Sequence, residues 1–145
     1  MSTLSKTVSF EQLDEFAKEV VATLGEGPFC LWLKGDLGAG KTTFTRFLLH
    51  NMGLDRRIPV TSPTFTYLNE YHIGEHWYAH MDLYRIESGS LGLEDIGIVD
   101  NKTYRGFIVE WPSKIPEHPV IEPSHVLEIE PSGEFERNFN LKKLG

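Results

Sequence analysis

Apolar residues recur at helical spacing near the start of the chain. Phe10, Leu13, Phe16, Ala17, Val20, Val21 and Leu24 fall on one stripe, as in an amphipathic helix with one face on a core. The preceding Ser9-Phe-Glu-Gln12 has the form of a capping box, with Ser9 as N-cap and Gln12 reaching back. Gly25 and Gly27-Pro28 then stop the helix. Phe29–Leu33 is a short apolar run that reads as a strand, and Phe44, Phe47, Leu48 and Met52 mark a second helix. Gly53 is its expected C-terminal cap. Strands are expected up to Tyr71, over Trp77–Met81 and over Gly106–Glu110, with a short helix around Leu91, Leu93 and Ile96. The Gly106–Glu110 run is continuously apolar until its last residue, as in strands buried on both faces. Val126–Glu130 and Phe135–Phe139 flank a Ser132-Gly133 turn and read as a closing β-hairpin. The order predicts one α/β domain over residues 1–145. Its sheet is mixed, mainly parallel in the middle, with an antiparallel hairpin at the C-terminal end.

Between the first strand and the second helix lies Gly35-Asp36-Leu37-Gly38-Ala39-Gly40-Lys41-Thr42. It fits G-x-x-x-x-G-K-[ST], and its strand–loop–helix setting is the one in which a phosphate-cradling loop works. Gly35, Gly38 and Gly40 allow backbone turns in which N–H groups converge on phosphate oxygens. The helix that follows adds its positive N-terminal end. Lys41 would reach the outer phosphates, and the Thr42 hydroxyl would ligate Mg²⁺. Together these make a P-loop NTPase with a three-layer sandwich the expected fold class.

Mg²⁺ takes oxygen ligands and few of them from protein, so one or two carboxylates are needed nearby. Asp82 and Glu110 each close an expected strand, where ligands of open α/β sheets bind. Glu110 follows the more apolar strand, the better candidate to lie beside the loop strand. It is therefore the expected metal-side carboxylate, with Asp82 in the metal's outer shell or orienting the attacking water. Lys41, Asp82 and Glu110 form the expected catalytic set. Thr61, Ser62, Thr64 and Thr66 place four hydroxyls around Pro63, either as a phosphate-sensing switch segment or as a polar turn before a strand. Arg85 is either a group that offsets phosphate charge or half of a structural ion pair. His72, His76 and His80 are spaced by four, which makes a metal-binding face only on a helix, and this region reads as strand.

Composition narrows the function classes. The formal net charge is −7, which argues against direct binding to DNA or RNA across a basic face. Any nucleic-acid role would run through a partner protein. The single cysteine, Cys30, and the absence of an apolar membrane-length run or signal-like N-terminus lead us to expect a cytoplasmic protein with no membrane contact. At 145 residues, a small-molecule kinase would have little room for an acceptor pocket and an Arg-bearing lid. Kinase activity and a nucleotide switch with negligible hydrolysis stay open as alternatives to an ATPase.

The motifs Gly35–Thr43, Thr61–Thr66, Met81-Asp-Leu-Tyr-Arg85, Leu93-Glu-Asp95 and Val109-Glu-Trp-Pro112 occur in this order. Together they resemble the TsaE family, bacterial ATPases of tRNA threonylcarbamoyladenosine biosynthesis. The resemblance runs from about Ser9 to Pro112 and implies a weak ATPase using ATP/ADP and Mg²⁺. Its partners would be TsaD and TsaB, which transfer threonylcarbamoyl to the adenosine beside the anticodon of tRNAs reading codons that start with A. The chain would contact tRNA only indirectly. By resemblance, Gly35–Thr43 binds the nucleotide, Thr42 and Glu110 hold Mg²⁺, and Thr61, Ser62, Pro63 and Thr64 belong to a switch-like segment. Asp82 matches an acidic position needed for function, and Trp111 follows the metal-side Glu. The base would lie between Glu11 and Gly133.

Overall fold

The structure is a computed structural model, and it describes residues 3–36, 40–63, 68–82, 104–110 and 122–144. Seven strands form one sheet: β1 (Thr3–Ser9), β2 (Phe29–Lys34), β3 (Leu68–Ile73), β4 (His76–Asp82), β5 (Tyr104–Glu110), β6 (His125–Ser132) and β7 (Glu136–Lys143). Their spatial order is β1-β7-β6-β2-β5-β4-β3. β6, β2, β5 and β4 run parallel through the centre. The parallel character stops there, because an antiparallel hairpin flanks each side: β3–β4 on one, and β6–β7 with β1 added on the other. The expected mixed sheet, its C-terminal hairpin and its α/β class are all present.

Two helices, α1 (Leu13–Leu24) and α2 (Lys41–Met52), pack together on one face. Leu13, Phe16, Ala17, Val20 and Leu24 of the expected stripe are buried. The capping contact is present, with the Ser9 N–H donating to Gln12 Oε1 at 3.0 Å. Ser9-to-Gln12 opens on a single 3-10 turn, however, and the α-helix proper begins at Leu13. Phe16, Phe44 and Phe139 stand with ring centroids 4.8–6.1 Å apart, tying both helices to β7. Beneath them Leu31, Leu33, Ile108 and Leu127 are fully buried, and each such side chain contributes about 1.5–3 kcal/mol by leaving water. On the opposite face Ala79, Met81 and Val109 are also fully buried. Both faces of the central strands are therefore buried, and the two helices among the described residues lie on one of them. The short helix expected around Leu91–Ile96 lies outside the described residues.

β1 is an addition to the sequence reading. Its outward positions are polar and pair with polar partners on β7, Ser5 with Asn140 at 2.9 Å and Thr7 with Asn138 at 2.6 Å. Its inward positions are Leu4, Lys6 and Val8, and the central Lys6 breaks the apolar alternation. Lys6 Nζ reaches Glu19 of α1 at 2.8 Å instead.

One close approach fixes the β2–β5 pairing. Gly106 sits opposite Phe29, and a Cβ there would meet the Phe29 ring at 2.5 Å. Only glycine lets the aromatic ring lie over β5 at that point.

Candidate functional site

The site forms where the central parallel strands end. β2 runs out at Lys34, and α2 starts at Lys41 with Gly40 as its N-cap. Gly40 has φ 106°, a left-handed conformation that costs a residue with a Cβ but not glycine. Gly35 is not in that region. Leu37, Gly38 and Ala39 lie outside the described residues.

Lys41 is 5% exposed. Its ammonium donates to the carbonyls of Gly35 at 2.5 Å and Asp36 at 3.1 Å. Burial lowers its pKa, against the opposing pull of Glu110, then Asp82 and Asp36. The next residue turns to the sheet. Thr42 Oγ1 donates to Glu110, with Oε2 at 3.1 Å and Oε1 at 3.3 Å.

Glu110 ends β5 directly beside β2, opposite Leu33 in the parallel register. Asp82 ends β4 opposite Glu110. The two acids thus stand side by side, Asp82 4% and Glu110 3% exposed. Burying an unpaired carboxylate costs on the order of several kcal/mol, and each acid is bonded. Ser62 Oγ donates to Asp82 Oδ2 at 2.5 Å. His80, fully buried two residues before Asp82 on the same face of β4, places Nε2 2.5 Å from Glu110 Oε2. Its Nδ1 is buried with no hydrogen-bond partner among the described residues.

The donor set suits a small hard cation. A hydroxyl and a carboxylate converge, both oxygen donors, and the remaining positions are left to phosphate and water, the usual protein share of a Mg²⁺ site. The charges agree. Lys41 is near the carboxylates of Glu110, Asp82 and Asp36, so a polyphosphate entering here would add negative charge that a bound divalent cation would help to offset. Among the described residues no three His, Cys, Asp or Glu side chains gather into a metal-binding group. His72 stacks on Trp77 at 4.6 Å, while His80 faces Glu110.

A cleft of about 330 Å³ adjoins the loop. It is lined by Gly40 and Thr43 at the start of α2, by Ser9, Phe10 and Leu13, and by Glu134, Phe135 and Arg137. Phe10 is 60% and Phe135 78% exposed, an unusual state for aromatic side chains that leaves ring surface free to cover a planar ligand. Glu11 and Gly133 each stand one residue outside this lining.

A sequence model of the family described as "Threonylcarbamoyl adenosine biosynthesis protein TsaE" matches residues 7–139. The chain belongs to the TsaE family. The tRNA threonylcarbamoyladenosine biosynthesis protein TsaE of Bacillus subtilis is 38% identical over 141 residues, spanning 97% of this chain and 85% of the relative. The TsaE protein of Nostoc sp. is 43% identical over 101 residues, spanning 67% and 60%. Among solved structures, the crystal structure of Bacillus subtilis YdiB superposes with a TM-score of 0.66 at 29% identity, covering 99% of this chain and 87% of that one.

Within this TsaE chain, Lys41, Thr42, Asp82 and Glu110 come together, and Ser62 joins them through Asp82. Thr61 accepts from the Asn69 side chain through its carbonyl at 3.1 Å, and Pro63 is buried. Thr64, Arg85 and Trp111 lie outside the described residues. The contact that sequence reasoning missed is His80 on Glu110. The available signal was the two-residue spacing of His80 and Asp82, which puts both on one face of a strand.

Proposed function

We propose that this chain is a Mg²⁺-dependent P-loop ATPase that supports the TsaD–TsaB complex in forming threonylcarbamoyladenosine beside the tRNA anticodon. The observation that carries the reading is the convergence of Lys41, Thr42 and Glu110 at the start of α2, with Asp82 alongside. Lys41 is held ready by loop carbonyls, which it would exchange for phosphate oxygens of ATP or ADP. Thr42 and Glu110 would hold Mg²⁺, which when bound spreads the negative charge of the phosphates. Asp82 would orient water, with Ser62 bonded to its carboxylate. The cleft between Phe10 and Phe135 would take the adenine, with Thr43 and Gly40 between base and phosphates.

The net charge of −7 fits a role in which tRNA is held by partners. No helix among the described residues is long and apolar enough to cross a membrane, and we place the chain in the cytoplasm by its proposed task. The test is a pull-down with TsaD and TsaB, with and without ATP, combined with an ATPase assay. Association that depends on nucleotide, and turnover raised by the partners and tRNA, supports the reading. No association under any nucleotide condition overturns the partner assignment.

A further inference from the structure

We propose that His80 is a positioning residue for the metal-side carboxylate, holding Glu110 in the orientation that receives Mg²⁺. The proposal rests on the Mg²⁺ reading of Thr42 and Glu110 given above.

His80 has no solvent exposure, and the one side-chain hydrogen bond it makes among the described residues is from Nε2 to Glu110 Oε2 at 2.5 Å. A histidine fully buried in the middle of a strand is a costly choice where an apolar residue would pack. The leftover Nδ1, buried without a partner among the described residues, adds to that cost. Packing therefore does not explain the residue, whereas the contact with Glu110 does.

The geometry shows how the contact would act. Among the described residues, Glu110 is held by two groups, Thr42 and His80. The Thr42 hydroxyl is the group that would turn its oxygen to the metal, and in doing so it would release the carboxylate. His80 approaches from β4, away from the loop, and would keep its hold on Oε2. Oε1, 3.3 Å from the Thr42 hydroxyl and not bonded to His80, would then be the oxygen left for the metal. The backbone makes this possible: His80 and Asp82 share a face of β4, and Asp82 lies in register with Glu110 on β5. Hydrogen-bonding partners of metal ligands commonly contribute 10–100-fold to metal affinity.

The test separates donor from bulk. His80→Gln keeps an N–H donor, and His80→Leu fills the space without one. Calorimetry would measure ADP affinity without Mg²⁺ and Mg²⁺ affinity of the ADP-bound protein, with near-UV circular dichroism as the check on folding. The expected result is a loss of about 10–100-fold in Mg²⁺ affinity for His80→Leu, a smaller loss for His80→Gln, and metal-free ADP affinity close to wild type in both. Equal Mg²⁺ affinity in wild type and His80→Leu, or equal losses in both variants, would overturn the proposal. If His80→Leu does not fold, the wild type still decides. In ¹⁵N-histidine spectra the His80 Nε2–H signal should shift when Mg²⁺ is added to the ADP complex, and an unmoved signal counts against the role. Wild-type protein that binds ADP but shows no Mg²⁺ binding would instead remove the metal-site reading and this proposal together. Failure to bind ADP at all would remove the nucleotide reading first.

Discussion

The Thr42 hydroxyl, one residue into α2, donates to the Glu110 carboxylate at the end of β5, 3.1 Å away and 68 positions later in sequence. Two segments that share no local signal are thereby joined at the point where strand β2 gives way to the loop. Replacing either group should change metal dependence before it changes the fold. For Glu110→Gln and Thr42→Val we expect nucleotide affinity measured without Mg²⁺ to stay within a few-fold of wild type. The gain in affinity on adding Mg²⁺ should largely disappear, a loss on the order of 10-fold or more. Titration of a fluorescent nucleotide with and without Mg²⁺ checks this. A Glu110→Gln protein with full Mg²⁺ dependence would show that the carboxylate order assigned to Glu110 and Asp82 is reversed.

Asp82 is expected to behave differently. Its carboxylate accepts from Ser62 at 2.5 Å and stands beside Glu110, one strand further from β2. Asp82→Asn should lower turnover by about 100-fold or more, the scale of a lost proton-handling or water-orienting group, while Mg²⁺-nucleotide affinity changes little. Ser62→Ala should reduce turnover in the same direction by less, because Asp82 remains but is less well aimed. Single-turnover hydrolysis alongside equilibrium binding separates the two effects. An Asp82→Asn variant that loses affinity and keeps its rate would place Asp82 with the metal instead.

His125 gives a pH dependence outside the site. It opens β6, is 4% exposed, accepts or donates at Nδ1 with Ser124 at 2.8 Å, and has no partner at Nε2 among the described residues. Burial lowers its pKa from the usual 6.5, and Lys143 adds to the shift. The folded protein therefore binds this proton less readily than the unfolded chain does. The stability contributed by the neutral ring is fully present above about pH 6.5 and is lost as pH falls through the lower folded-state value. Thermal unfolding across pH 7.5 to about 5 should show a steeper fall in Tm for wild type than for His125→Gln. Parallel pH profiles would contradict this assignment.

Much of the fold was legible because the signals are short-range. The stripe from Leu13 to Leu24, the apolar run at Phe29–Leu33 and the hairpin turn at Gly133 each carry their own period or turn chemistry, though Ser132 ends β6 and Phe135 belongs to the turn. The loop was legible from its G-x-x-x-x-G-K-[ST] pattern, and its two acids from their position at the ends of apolar strands. β1 was hidden by Lys6, whose ion pair with Glu19 on α1 is invisible until the two elements pack. The hold of His80 on Glu110 was hidden for a related reason. It depends on β4 and β5 pairing across 30 positions, and in the sequence His80 stood out only as one of three histidines spaced by four. The resemblance puts the base between Glu11 and Gly133, and the cleft is lined by their sequence neighbours Phe10, Glu134 and Phe135. The turn geometry that decides which side chain faces inward has no signature in the sequence.

The central claim is that Lys41 and its loop receive the phosphates of ATP. Lys41 is nearly buried and bonded to the Gly35 and Asp36 carbonyls, so Lys41→Met, which keeps the stem and removes the charge, is the most direct probe. Calorimetric titration of ATP with Mg²⁺ into wild type and Lys41→Met, with circular dichroism to confirm the fold, gives the answer. We expect binding to the wild type and a loss of affinity of about 100-fold, or roughly 3 kcal/mol, in the variant. ATP affinity near that of wild type in a folded Lys41→Met protein would contradict the assignment of this loop to nucleotide.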